Sequence, residues 1–135
     1  MLPAYSSRPS SGYSYGWNSE TTLWTNSSPT SNYTGGSVSL SYSLSNYSYL
    51  KFYFRLNTTT STEIVAIYPR SYFTGTSGNG VGRCAAACIN TGGSQVGRCF
   101  YYESSTSVKF TNGFNTGSGS GAPTYVIPTK ITGLS

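Results

Sequence analysis

The chain has no histidine and no aspartate among its 135 residues, and its acids are three glutamates, Glu20, Glu63 and Glu103. The missing histidine removes the usual general base, metal ligand and triad partner, and with them most hydrolase mechanisms. A glycosidase needs two carboxyls about 5–10 Å apart. The three glutamates fall in an N-terminal arm, at a strand start and at a strand end. Cys84, Cys88 and Cys99 leave a zinc site one strong ligand short, and a cysteine nucleophile would have no activating base beyond an unusual lysine. These absences predict a protein without catalytic residues, metal or cofactor.

Charge is scarce as well, at 8% of residues, against roughly 25% in an ordinary globular protein. The net charge of +5 reflects the shortage of acids. Arg8, Lys51, Arg55, Arg70, Arg83, Arg98, Lys109 and Lys130 are scattered, with no run that neutralises consecutive phosphates, so no nucleic-acid partner is expected. No stretch approaches the ~20 apolar residues of a membrane-spanning helix, and no membrane insertion is expected. The segment MLPAYSSRPSSG lacks the charged and apolar regions of a signal peptide, which predicts either assembly in the cytoplasm or a piece of a longer chain. The glycine-rich GTSGNGVG and GSGSG lack the Lys-Ser/Thr ending and following helix of a phosphate loop, and read as sheet turns.

What the chain does have is 13 tyrosines and 16 glycines, with aromatic residues at 16%. Serine, threonine and asparagine supply the remaining polar surface. Threonine and tyrosine suit pleated sheets, whereas the strong helix formers are few, so the fold class is all-β. Disordered chains lack aromatics, which argues against disorder outside the N-terminus. The length fits one domain.

Residues 1–22 are polar, carry two prolines and show no sustained periodicity, as an extended arm or linker would. In this arm Tyr13, Tyr15 and Trp17 alternate and are suited to docking along a neighbour. Residues 23–135 read as the folded domain, a succession of short strands. Val38, Leu40, Tyr42 and Leu44 alternate with serines, predicting one strand with a buried and a wet face. In YSYLKFYFRL, Leu50, Phe52, Phe54 and Leu56 face one way, and Tyr49, Lys51, Tyr53 and Arg55 the other. The apolar run Ile64 to Tyr68 predicts a central strand buried on both faces. A hairpin follows, turning at Asn90-Thr91-Gly92-Gly93 between VGRCAAACI and QVGRCFYYE. A strand around Thr106–Phe110, a turn at Asn112-Gly113 and a closing strand TYVIPTKITGL complete the series. Pro128 predicts a bulge or an edge position there. Short strands at this spacing point to an antiparallel sandwich or jelly roll.

The cysteines admit two readings. As free thiols they pack as small hydrophobes. If Ala86 pairs opposite Cys99, then Cys84 and Cys88 lie diagonally from Cys99 on one face, and one disulfide leaves an odd thiol. Cytoplasmic assembly would keep all three reduced.

Trp24, the stretch Ser39 to Tyr47 and the ending Ile127 to Gly133 (IPTKITG) resemble the C-terminal head domain of phage tail-fibre and related surface proteins from phages of gut bacteria. The resemblance spans residues 23–135. It implies a β-sandwich, a homotrimer, and variable loops that attach to a host-cell glycan or protein from the virion surface, on tail or capsid. Turn position within a sandwich then selects Tyr72, Phe73, Asn79, Asn90, Thr91, Tyr101 and Tyr102 as receptor-binding candidates. Tyrosine, serine, glycine and asparagine are the mixture that adaptable recognition loops use, although at least half of the tyrosines are expected to pack in the core or across strands. Two alternatives remain open: a structural virion protein joined to other virion proteins through residues 1–22, and a bacterial carbohydrate-binding module.

Overall fold

The computed structural model describes residues 19–73, 83–90, 92–118 and 120–135, without the side chains of Arg83 and Ser120. The described residues form nine strands: β1 (Glu20–Thr25), β2 (Gly36–Ser39), β3 (Tyr49–Asn57), β4 (Glu63–Pro69), β5 (Arg83–Ile89), β6 (Gln95–Ser104), β7 (Ser107–Asn115), β8 (Ser120–Gly121) and β9 (Tyr125–Leu134). Two antiparallel sheets pack face to face as a β-sandwich. One runs β1-β9-β3-β4, the other β2-β7-β6-β5 with β8 beside β7.

The side-chain period of two builds the core. β3 turns Leu50, Phe52 and Phe54 inward, β6 supplies Val96 and Phe100, and β7 supplies Val108 and Phe110. The phenyl rings meet between the sheets: Phe52 to Phe100 at 4.3 Å, Phe54 to Phe100 at 5.6 Å and Phe100 to Phe110 at 5.8 Å between centroids. Tilted and edge-on aromatic pairs of this kind contribute about 0.5–1.5 kcal/mol each beyond area burial.

Four sequence expectations are corrected. The alternation from Val38 to Leu44 is not one strand. β2 ends at Ser39, and Leu44 reaches the core from a 3-10 turn, Leu44–Asn46, where the Ser43 hydroxyl accepts a hydrogen bond from the Ser45 N–H at 3.3 Å. β4 is not central. It is the last strand of its sheet, with Val65 and Ile67 exposed. Asn112-Gly113 is not a turn, because β7 runs through it to Asn115. Its pairing with β6 shifts register between Arg98 and Phe100, which absorbs the extra length as a bulge. Finally, the ordered sheet begins before residue 23: β1 starts at Glu20, and Ser19 exchanges backbone hydrogen bonds with Ser135.

Pro128 marks a bulge. β9 lies between β1 and β3, and its register against β3 slips between Lys130 and Pro128. The displaced Thr129 donates its hydroxyl to the Tyr53 carbonyl at 3.0 Å, and the Asn26 side-chain amide donates to the Pro128 carbonyl at 2.8 Å. Gly133 allows the Tyr47 ring to lie on the strand where any side chain would collide with it.

The fully buried Arg98 joins the sheets. From β6, its Nε donates to the Val126 carbonyl at 2.6 Å, Nη2 to the Tyr125 carbonyl at 2.9 Å and Nη1 to the Thr111 carbonyl at 2.7 Å. Its guanidinium lies 5.2 Å from the Tyr33 ring centroid. Burial lowers its pKa to about 10, so the group is still charged at neutral pH. Removing it strands three carbonyls, each costing roughly 1–3 kcal/mol when buried without a donor. Arg98→Met should therefore lower the unfolding free energy by about 3 kcal/mol or more in a denaturant titration. Arg98→Lys, lacking the planar fork, should recover only part of the loss.

Candidate functional site

Both 3-10 turns lie at one end of the sandwich. The first follows β2, where the Leu40 and Leu44 N–H groups donate to the Thr106 and Ser105 carbonyls beside the β6–β7 turn. The second, Arg70–Tyr72, follows β4 and is tied to the first by the Arg70 N–H donating to the Ser48 carbonyl at 2.8 Å. Tyr42 and Tyr49 flank the first turn and Tyr72 ends the second; their exposures are 56%, 36% and 69%. They are the exposed aromatic residues among those described. The other seven of the ten described tyrosines are buried or half-buried, as packing across strands requires.

The expected binding residues do not gather at one place. Tyr72 is the most exposed of those described. Phe73 is a core residue: it is fully buried, with its ring 5.4 Å from Phe52 and 6.2 Å from Phe100. The 3-10 turn rotates Phe73 inward as it rotates Tyr72 outward, so Phe73 is withdrawn as a contact residue. Tyr102 is half-buried, edge-on to Phe73 at 6.2 Å and beneath the Arg70 guanidinium at 5.7 Å. Tyr101 is half-buried on the opposite face of β6, opposite Arg83 and Lys109.

Asn90 belongs to the other end. β5 separates it from Arg83 by about 20 Å of extended chain at ~3.3 Å per residue. Its side-chain oxygen accepts hydrogen bonds from the N–H groups of Gly92 at 3.0 Å and Ser94 at 3.1 Å, and so shapes the hairpin turn in which Gly93 holds φ +86°. Ile89, 65% exposed, sits beside it. Asn79, Thr91, Tyr13, Tyr15 and Trp17 lie outside the described residues.

Tyr42 and Tyr49 escape a reading of the sequence for different reasons. Tyr42 shares the period of Val38 and Leu40, which assigns it to a buried face, and the strand's early end turns it outward. Tyr49 falls on the outer face of β3 as its alternation predicts, but nothing in its spacing marks its position beside a turn.

The outer face of β3 carries a polar cluster. The Tyr53 hydroxyl donates to the Glu20 carboxylate, the Thr132 hydroxyl donates to it at 2.8 Å, and Lys51 Nζ stands 4.0 Å away. Lys51 and Lys130 lie 4.8 and 4.4 Å from the Tyr53 ring centroid, so this ring is covered by ammonium groups and buried. The Tyr53 hydrogen bond, followed by that of Thr132 and the charges of Lys51 and Lys130, holds Glu20 below the usual carboxylate range. Glu103 is lowered by hydroxyl donation from Ser107 and Ser37.

The cysteines adopt the free-thiol reading. The register sets Ala85, not Ala86, opposite Cys99, while Cys84 faces Phe100 and Cys88 faces Val96. Cys99 therefore points to the outer face and the other two to the core, and the expected diagonal pairing does not occur. Cys84 and Cys88 are four residues apart, about 13 Å along a strand, beyond disulfide reach. Burial pushes the Cys84 thiol up to about 11, which leaves it protonated at neutral pH. No group of three or more metal-ligating residues forms among the described residues, and no helix there is long and apolar enough to cross a membrane. Compared with protein-family models and with curated proteins, the chain matches none.

Two outcomes follow from this geometry. Phe73→Ala should cost about 3–5 kcal/mol, as large-to-small core substitutions of phenylalanine do, whereas Tyr72→Ala should leave the melting temperature nearly unchanged. Because Glu20 and Glu103 have folded-state pKa values below the unfolded value, their stabilisation is present above about pH 4.5 and is lost as pH falls through the lower folded value. Melting curves from neutral to acid pH should show that decline, and Glu20→Gln should make it shallower.

Proposed function

We propose that this domain is a non-enzymatic recognition head on a phage virion surface, attaching to a glycan or protein of the host cell through its tyrosine-bearing end. One observation carries this reading: Tyr42, Tyr49 and Tyr72, the exposed aromatics among the described residues, share the end built by the two 3-10 turns. Tyrosine offers a large rigid contact surface with a hydrogen-bonding tip and little rotamer entropy to lose. Its flat face suits the apolar side of a sugar ring. Turns held by backbone hydrogen bonds present such side chains already ordered, which reduces the entropic cost of binding. Several copies on one fibre, three in the homotrimer implied by the family resemblance, would multiply weak single-site contacts through avidity. Residues 1–22 would join the head to other virion proteins.

The test is adsorption of the labelled full chain to a panel of gut bacteria, in competition with phage. Tyr42→Ala and Tyr72→Ala should each reduce cell binding about 10-fold or more, the scale of an aromatic hot spot, with unchanged melting. Wild-type adsorption that survives both substitutions would refute the tyrosine end. A chain that binds no cells while associating with phage particles through residues 1–22 would favour a structural virion protein.

A further inference from the structure

The run Ile64 to Tyr68 has the composition of a strand covered on both faces, yet β4 stands at the edge of its sheet. Its inward residues Ile64, Ala66 and Tyr68 pack against the core. Its outward residues Val65 and Ile67 are 42% and 43% exposed. Edge strands ordinarily discourage pairing with a bulge, a proline or a charge in mid-strand. β4 has none of these: its register with β3 is unbroken from Glu63 to Pro69, its one proline is terminal, and no charge lies between Glu63 and Arg70. Among the described residues no strand pairs with its open side.

We infer that β4 pairs with β4 of a second copy, antiparallel about a two-fold axis at Ala66, joining two sheets into one. This register alone overlaps the seven-residue strand completely, from Glu63 opposite Pro69 to Pro69 opposite Glu63. It sets Val65 against Ile67 of the second copy and Ile67 against its Val65, so that each exposed apolar side chain gains an apolar cross-strand neighbour along one flank. The strand ends are complementary in charge, because Glu63 arrives at the end of the second copy that carries Arg70. No like charges face each other across the pair, which matters in a chain of net charge +5. The contact is isologous and closes on itself, so it yields pairs of heads and no open filament. The pairing stands apart from the adsorption reading, since it is measured by mass.

Light scattering on the full chain after size exclusion should give an even number of copies: two, or six if three-copy heads also form. The Val65→Lys, Ile67→Lys double variant should halve that number while retaining the wild-type circular dichroism. If the double variant does not fold, Ile67→Lys alone serves the same purpose, and the β4 amides of the wild type should lose protection from hydrogen exchange on dilution. A wild-type monomer, an odd copy number, or a mass unaffected by these substitutions would overturn the pairing.

Discussion

The clamp made by Arg98 is the interaction on which the rest of the sandwich depends. One side chain from the middle of β6 reaches carbonyls at the β7 bulge and at the start of β9, which belongs to the other sheet. Val126, where Nε lands, has φ +47°, a left-handed conformation that a β-branched residue adopts only when its surroundings impose it, at a cost on the order of 1–3 kcal/mol. Arg98 supplies that imposition. Its charge has no carboxylate partner among the described residues, and the charge-assisted hydrogen bonds to three backbone dipoles, with the Tyr33 ring alongside, offset part of its desolvation. The position of β9 in turn sets β1 and β3 on its two sides.

With the sheets fixed, the two ends of the sandwich acquire different chemistry. One is closed by 3-10 turns and displays tyrosine. The other carries the hairpin tip and the Asn115–Ser118 turn, where asparagine side chains bond to their own backbone. Asn90, selected by its position in a turn, spends its side-chain oxygen on shaping that loop.

The parts of this fold legible in the sequence are those in which one strand obeys one pattern throughout. β3 alternates over its whole length, and the hairpin turn carries asparagine and glycine where a tight reversal requires them. The failures have physical causes. Alternation from Val38 to Leu44 survives a change from strand to 3-10 turn, because both geometries return Leu44 to the core. Asn112-Gly113 reads as a turn from its residue types, but a bulge uses the same freedom, and Gly113 is needed because any side chain there would strike the Ala122 carbonyl. The apolar run of β4 reads as a central strand, since an edge strand with an apolar outer face has the same composition. Arg98 gives no signal, as a buried cation and a surface cation look alike in a row of residues.

Hydroxyl-radical footprinting of the full chain, free and bound to intact bacterial cells, tests the recognition account most directly. Tyrosine oxidises readily, and its protection reads out in the same way whether the receptor is a glycan or a protein. The account predicts that Tyr42, Tyr49 and Tyr72 become protected on cells while Ile89 oxidises as in the free chain. Protection at Ile89 with the three tyrosines unchanged would contradict it and place recognition at the hairpin end.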